Sequence, residues 1–232
     1  MVTRAVFFDF GGTLFVMKHH SALQLLLREE GREVDLRSIH AAYMKAEPWW
    51  LSVYGSGPTD PRATEDAYRA LDARVVLELF PDETPSGADE FSRRAREKGL
   101  AIEEAMPSEL YPDAMPLLAE LKREGFLMGL ISNATARTRK TVEATGLTDY
   151  LDPIVISAEV GCSKPNPEIF RIALAKSKTR AEEAIHVGDV YESDVVGARN
   201  AGMKGILIDR EGLDRHGDCP RVSTLADVRR FT

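Results

Sequence analysis

The first pattern along the chain is an apolar, aromatic-rich run from Ala5 to Phe10 that stops at Gly11 and Gly12. Such a run predicts a buried strand that ends in a tight loop. From about residue 112 onward, helical patterns alternate with apolar runs: helix PDAMPLLAELKREG capped by Gly125, strand FLMGLISN, a helix over 136–145, strand PIVISAEVG, helix NPEIFRIALAKS, strand AIHVGD, helix SDVVGARNAG and strand GILIDR. Strands that alternate with helices predict a parallel sheet.

The segment from about residue 17 to 105 differs, because Ala, Leu, Arg and Glu dominate it. Helical periodicity is present in HSALQLLLREEG, LRSIHAAYMKA, TEDAYRALDARVVLELF and ADEFSRRAREKG. The clusters GSGPTDP and PDETPSG predict turns between these helices. We therefore predict an α/β fold: a Rossmann-like, doubly wound parallel sheet in a core domain of residues 1–16 and 106–232, with a helical domain of residues 17–105 inserted into it.

Composition and charge narrow the function classes. The 232 residues suit one full domain plus a smaller insertion. The formal net charge of -7 offers no electrostatic footprint for nucleic acid or an anionic membrane. No stretch approaches the roughly 20 apolar residues of a membrane span, and the N-terminus turns acidic too soon for a secretory signal, so we expect a cytoplasmic protein. Cys162 and Cys219 form no cluster typical of a disulfide framework or a zinc site. The sequence does not indicate an oligomeric state.

Polar residues stand where four of the predicted strands end. They are Asp9 with Thr13, Ser132 with Asn133, Lys164 in the loop after a strand, and Asp189 followed by Asp194. In an open α/β sheet, ligands bind at the carboxyl ends of the strands, near the point where strand order reverses. These residues are therefore the candidates for a functional site.

Asp9 suits the role of a covalent nucleophile in phosphoryl transfer, because a carboxylate is already ionised at neutral pH and needs no base. Since a carboxylate and a phosphate repel each other, the reaction requires a cation. Asp189 and Asp194 offer hard oxygen ligands of the kind that hold Mg²⁺, which would bridge nucleophile and phosphate. We therefore predict a Mg²⁺ cofactor and a small phosphorylated substrate.

The remaining strand-end residues fit the phosphate group of that substrate. Lys164 would balance residual negative charge, while the hydroxyls of Thr13 and Ser132 and the loop N–H groups would donate to the equatorial oxygens. With Asn133 beside Ser132, these four residues are the predicted phosphate-binding set.

Four segments occur in the order of the motifs of a known family: DFGGTLF (Asp9–Phe15), LISN (Leu130–Asn133), KPNPEIF (Lys164–Phe170) and GDVYESD (Gly188–Asp194). We refer to them as motifs one to four. Through them the whole chain resembles the haloacid dehalogenase superfamily. The helical insertion after motif one resembles that family's cap domain, which closes over the site and reads the substrate.

The resemblance implies a role for each motif residue. Asp9 is implied to be the nucleophile and Ser132 a phosphate ligand, while Lys164 orients and neutralises. Asp189 is implied to ligate Mg²⁺, and Asp194 to support the metal from behind its direct ligands.

Gly11 departs from the pattern of the family's phosphatases, which usually read DxDGT with a second aspartate acting as general acid and base. By resemblance this position gives Mg²⁺ its backbone carbonyl, which glycine retains. Proton transfer is lost, and a positioned acid and base contributes roughly 10²- to 10⁴-fold, so alkyl phosphates should suffer most. We expect either a slow phosphatase biased to good leaving groups, or a replacement acid from the cap, with His19 and His20 nearest in sequence.

Three other functions stay open. The dehalogenases of the superfamily also lack the second aspartate, and they work without a metal, although tyrosine is usual at the position of Gly11. A binding protein that kept the fold but lost turnover is the second, and a phospho-accepting receiver domain, disfavoured by the helical insertion, is the third. His186, inside an apolar strand, is predicted to be a satisfied core histidine rather than a ligand.

Overall fold

A computed structural model of the chain describes residues 3–54, 61–105, 109–214 and 216–232. It contains one sheet of strands β1 (Ala5–Phe8), β2 (Leu127–Ser132), β3 (Ile154–Ile156), β4 (Ala184–Gly188), β5 (Lys204–Ile208) and β6 (Arg221–Val222). All neighbours are parallel, in the order β3-β2-β1-β4-β5-β6. The predicted doubly wound parallel sheet is confirmed.

The order of the strands reverses beside β1. The chain builds β2 and β3 on one side of β1 and then returns to build β4 on its other side, so that Phe8 pairs with both Leu130 and Val187. Loops that leave β1 and β4 in opposite directions open a crevice at this point, where α/β sheets bind ligands. The residues that follow β1 and β4 therefore lie at the edge of the sheet predicted for a site.

Strand β1 shows why this sheet is covered on both faces. All four of its residues are buried, and successive side chains point to opposite faces. Val6 and Phe8 belong to one hydrophobic cluster, whereas Ala5 and Phe7 belong to another. Because water reaches neither face, the strand is a continuous apolar run rather than an alternating one.

The described residues fall into two compact units, one of residues 3–16 and 109–232 and the other of 17–54 and 61–105. The second unit contains the helices α1 (Lys18–Glu29), α2 (Leu36–Tyr54), α3 (Pro61–Leu79) and α4 (Pro85–Ala105). Each predicted helical segment of the insertion coincides with one of them, although the first runs two residues past the end of α1 and the third one residue past the end of α3. Its core includes Leu27, Ile39, Val75 and Val76, all fully buried.

Of the two predicted turns, the one at GSGPTDP falls largely on residues 55–60, which lie outside the described part of the chain. The other predicted turn, PDETPSG, is shorter than predicted: it ends at Thr84, because α4 begins at Pro85. Pro85 opens α4, where its fixed φ suits the first helical position, and the Thr84 hydroxyl accepts a hydrogen bond from the Gly87 N–H at 3.0 Å.

The sheet unit contains α5 (Ala114–Arg123), α6 (Arg137–Ala144), α7 (Ser157–Val160), α8 (Pro167–Ser177) and α9 (Gly197–Asn200). One predicted strand is too long, because PIVISAEVG is extended only to Ile156 and then turns into α7. Gly161, with φ of 74°, ends this short helix in the left-handed conformation. A π-helical segment, Tyr191–Val196, precedes α9 where we predict one regular helix, and β6 and the 3₁₀ segment Leu225–Phe231 are not predicted.

None of the helices in the described ranges combines the length and the apolar composition that crossing a membrane requires.

Candidate active site

The crevice beside β1 brings together the acidic residues of motifs one and four. Asp9 follows β1 directly, its backbone N–H donates to the Val187 carbonyl at 2.9 Å, and its side chain is almost buried. One carboxylate oxygen from each of Asp9, Asp189 and Asp194 can be chosen so that all lie within 4.8 Å of one another. Three carboxylates this close repel one another strongly unless cations compensate them.

Lys164 supplies one of those cations. Its Nζ lies 2.7 Å from Asp9 Oδ1 and 2.6 Å from Asp194 Oδ1, and the lysine side chain is only 2% exposed. A single lysine therefore bridges the two buried carboxylates. Together with Asp189, three carboxylates gather around this lysine, and a divalent cation bound among them would reduce their mutual repulsion.

The pKa values of the bridged groups diverge. Burial raises the pKa of Asp9 above its ordinary value despite the opposing pull of Lys164, and Asp194 adds to the rise. Burial also acts to raise the pKa of Asp194, but Lys164 and a hydrogen bond from His186 hold it below its ordinary value. For Lys164, burial acts to lower the pKa, but the Asp194 and Asp9 carboxylates prevail and raise it. Asp194 and Lys164 thus form a stable ion pair, whereas the ionised form of Asp9 would be stabilised by a further positive charge nearby.

The donor set fits Mg²⁺, a hard cation that prefers oxygen ligands. Asp9 and Asp189 are the acidic residues best placed to bind it directly. In Asp194, Oδ1 accepts from Lys164 and His186, and Oδ2 accepts from the Val190 N–H at 3.0 Å. With both oxygens engaged, Asp194 is placed to support a metal from behind its ligands.

Two glycines keep the carboxylates in place by lacking a side chain. Gly12 has φ of +73°, and a Cβ there would lie 2.0 Å from Asp189 Oδ2. A Cβ on Gly188 would lie 2.1 Å from the Asp194 carboxylate carbon. Such distances are far below van der Waals contact, so both positions require glycine for the acidic residues to converge.

Asn133 performs a task that its sequence position does not reveal. Its Oδ1 accepts from the Lys164 backbone N–H and its Nδ2 donates to the Lys164 carbonyl, both at 2.8 Å. The amide thereby clamps the loop of motif three. Neighbouring Ser132 ends β2 almost buried, as its predicted place at a strand end requires.

Thr13 and Gly11 belong to the loop after β1. The Thr13 side chain is fully buried, and its hydroxyl is directed at Asp189 Oδ1, 3.5 Å away. Gly11 forms a bridge with Phe15, which closes this loop into a compact turn.

Arg210, which the sequence analysis misses, holds that loop from the other side. Its guanidinium donates to the Thr13 carbonyl at 2.8 Å, pairs with both Asp113 oxygens at 3.0 Å and lies 3.7 Å above the Tyr111 ring. The only signal in the sequence is the position of Arg210 just after an apolar strand.

His186 is buried as predicted, yet its role extends beyond packing. Its Nε2 lies 2.8 Å from Asp194 Oδ1, so this histidine contacts the acidic cluster directly. The apolar strand around it conceals this contact at the level of sequence.

The two histidines named as replacement acids lie in the helical unit. Burial, with contributions from Arg96 and His40, lowers the pKa of His19 to about 3. Burial also lowers the pKa of His20 well below its ordinary value, as do His19 and His40. Both imidazoles are neutral at neutral pH, which makes them poor general acids.

A family model described as haloacid dehalogenase-like hydrolase matches residues 3–202. The chain therefore belongs to the haloacid dehalogenase-like hydrolases, as its four motifs indicate, and the prediction of a hydrolase is confirmed.

Its relatives include phosphatases. A phosphoserine phosphatase from Thermus thermophilus is 37% identical over 138 residues, which are 59% of this chain and 54% of that protein. A glyceraldehyde 3-phosphate phosphatase from Methanothermobacter thermautotrophicus is 36% identical over 109 residues, 47% of this chain and 48% of that protein. The chain thus spans about half the length of these curated relatives.

Solved structures extend the similarity along the chain. A HAD phosphatase from Thermococcus onnurineus has a TM-score of 0.60 and 26% identity, covering 99% of this chain and 97% of that one. A 2-haloacid dehalogenase from Pseudomonas syringae has a TM-score of 0.58 with the same coverage of both chains, but at 24% identity this likeness concerns the fold alone.

Proposed function

We propose that this chain is a Mg²⁺-dependent phosphatase that hydrolyses a small phosphorylated metabolite through an aspartyl-phosphate on Asp9. The observation that carries the proposal is the buried bridge of Lys164 between Asp9 and Asp194, with an Asp189 carboxylate oxygen within 4.8 Å of one from each of them. A metal-free hydrolase has no need of two further carboxylates clustered beside its nucleophile.

In the first step, an Asp9 carboxylate oxygen attacks phosphorus and forms a bond to it. The bond between phosphorus and the leaving oxygen breaks, and its electron pair stays on that oxygen. Lys164 holds the Asp9 carboxylate in a fixed orientation. In the second step, water attacks the phosphorus of the aspartyl-phosphate, which releases inorganic phosphate and regenerates Asp9. Mg²⁺, held by Asp9, Asp189 and the Gly11 carbonyl, would supply the positive charge that offsets the repulsion between carboxylate and phosphate.

The phosphate group is held at the ends of β1 and β2. Ser132 and Thr13 would supply hydroxyl donors to the phosphate, and Lys164 would supply positive charge. Because the Asn133 side chain clamps the Lys164 backbone, the donor from Asn133 is its backbone N–H rather than its amide.

The leaving group determines which substrates react quickly. Gly11 supplies no acid, and His19 and His20 are neutral at neutral pH. A departing alkoxide thus lacks a proton, whereas an acyl or aryl oxide leaves without one. We therefore infer a bias to acyl and aryl phosphates of roughly 10²- to 10⁴-fold, the usual contribution of a positioned acid.

Residues 17–105 are proposed to be the cap domain that selects the substrate, and residues 1–16 and 106–232 the core domain that carries the reacting groups. The named relatives act on phosphoserine and glyceraldehyde 3-phosphate, which supports a small phosphorylated metabolite as the substrate class.

The test is phosphate release, with and without Mg²⁺, from an aryl phosphate, acetyl phosphate, and sugar and nucleotide monophosphates. Asp9→Asn should abolish release, whereas Asp82→Asn, at an exposed aspartate, should leave it unchanged. Release of halide from a 2-haloacid without Mg²⁺ would instead identify a dehalogenase. Mg²⁺ binding with no turnover of any compound would identify a binding protein.

A further inference from the structure

We propose that His186 is a positioning residue that orients the Asp194 carboxylate and, through it, holds Lys164 against Asp9. The effect on rate rests on the proposed phosphatase function, whereas the hydrogen bond itself does not. Four side chains form a continuous buried chain, with 2.8 Å from His186 to Asp194, 2.6 Å from Asp194 to Lys164 and 2.7 Å from Lys164 to Asp9.

The direction of the first hydrogen bond follows from its chemistry. An ionised carboxylate only accepts, so the His186 Nε2 that lies beside Asp194 Oδ1 carries the proton. The other ring nitrogen, Nδ1, is buried and has no hydrogen-bond partner among the described residues. Nδ1 has no group among the described residues to which it could donate, so the geometry assigns the proton to Nε2.

His186 completes a set of three donors on Asp194. Oδ1 accepts from His186 and Lys164, and Oδ2 accepts from the Val190 backbone N–H. Two donors on one oxygen and a third on the other fix both the position and the rotation of the carboxylate. Without His186, the carboxylate can turn about its bond to Cβ while keeping contact with Lys164, and the lysine then moves relative to Asp9.

Rotation of the Asp194 carboxylate would also affect the proposed metal site, through Val190. The Val190 N–H donates to Asp194 at 3.0 Å, and Val190 is the residue that follows Asp189 in the chain. A carboxylate that rotates releases this N–H and loosens the loop that carries a proposed Mg²⁺ ligand. Residues that orient ligands in this way typically change metal affinity or activity by about 10- to 100-fold when removed.

Space filling alone is the rival explanation. His186 is fully buried and packs edge to face against Phe170, with ring centroids 5.1 Å apart. Three variants separate packing from hydrogen bonding. His186→Leu fills similar volume without a donor, His186→Gln places an N–H donor the same number of bonds from Cβ, and Phe170→Leu disturbs the packing while leaving the hydrogen bond.

The kinetic test compares kcat and KM of these variants on the best substrate at saturating Mg²⁺. We expect His186→Leu to lower kcat by about 10- to 100-fold with little change in KM, and His186→Gln to recover most of that loss. Phe170→Leu should lower thermal stability without a comparable loss of kcat. Equal kcat in His186→Leu and the wild type, or equal losses in the Leu and Gln variants, would overturn the inference.

A spectroscopic test needs no turnover. In ¹⁵N NMR spectra of the histidine rings, His186 is assigned as the signal that His186→Gln lacks among the five histidines. We expect a protonated Nε2, slow to exchange with solvent, and a bare Nδ1. The opposite tautomer would overturn the inference even if the wild type hydrolyses phosphate. If the wild type hydrolyses nothing, the proposed function fails, and the tautomer together with a loss of Mg²⁺ affinity in His186→Leu still decides on His186.

Discussion

Replacing Lys164 by methionine removes the one cation that bridges Asp9 and Asp194 while preserving most of the volume of the side chain. Both carboxylates then remain buried, Asp9 without a cationic side chain beside it among the described residues and Asp194 with His186 and the Val190 N–H as its remaining donors. Breaking a buried ion pair by removing one partner costs about 3–5 kcal/mol, because an uncompensated charge stays in the interior. We therefore expect Lys164→Met to lower the free energy of unfolding by about that amount.

Guanidinium unfolding followed by far-UV circular dichroism, in the presence of a chelator, measures this loss. Lys176→Met is the matched control, since Lys176 is exposed on α8, and surface substitutions usually change stability by less than about 0.5 kcal/mol. Lys164 lowers the pKa of both carboxylates against the effect of burial, so both pKa values should rise in the variant, and the penalty is present at high pH and relieved by protonation. The loss should thus be larger at about pH 8 than at about pH 5. Equal stability of the two variants, or a loss independent of pH, would refute the bridge.

Two further predictions concern Gly12 and His19. Gly12→Ala places a Cβ 2.0 Å from Asp189 Oδ2, so Mg²⁺-dependent phosphate release should fall at least about tenfold. Gly161→Ala is the control: Gly161 has a similar φ of +74° but open space around it, so the substitution should lower stability without lowering activity. Equal activity of the two variants would contradict this prediction. Burial and Arg96 lower the pKa of His19 to about 3. As the pH falls, His19 is therefore protonated in the unfolded chain before it is protonated in the folded one. Folding stability is not reduced by His19 above about pH 6.5, and it falls as the pH is lowered toward 3. His19→Gln should flatten the pH dependence of unfolding measured by tryptophan fluorescence, and an unchanged slope would count against the depressed pKa.

The sheet is predictable from the sequence because burial on both faces leaves an unmistakable signal. Ala5–Phe8 is apolar at every position, and a glycine pair follows two residues later, ahead of a helical region. The segment after Ile156 is harder, since SAEV continues the apolar character of the strand. The turn there depends on the left-handed Gly161 and on the hydrogen bond that the Ala134 N–H donates to the Ser157 hydroxyl, which joins residues distant in sequence.

The residues of the candidate site also differ in how well the sequence predicts them. Side chains that stand at strand ends, such as Asp9 and Asp189, are predictable because parallel strands deliver their carboxyl ends to one edge. Side chains that act through another residue are not. His186 lies within an apolar strand, Arg210 is the final residue of the last predicted strand, and the Asn133 amide bonds to backbone 31 positions away. Their partners are fixed by tertiary contacts that leave no local pattern.

Whether the reaction passes through an aspartyl-phosphate on Asp9 is tested by trapping the phosphoryl group on that residue. Acetyl phosphate and Mg²⁺ are mixed with the protein, the reaction is quenched in acid, and peptides produced by pepsin at acidic pH, where an acyl phosphate survives, are analysed by mass spectrometry. We predict the mass of one added phosphoryl group on the peptide that contains Asp9, in the wild type and in Asp82→Asn but absent in Asp9→Asn. Phosphate release that continues in Asp9→Asn, or a phosphoryl group on a different residue, would contradict the account.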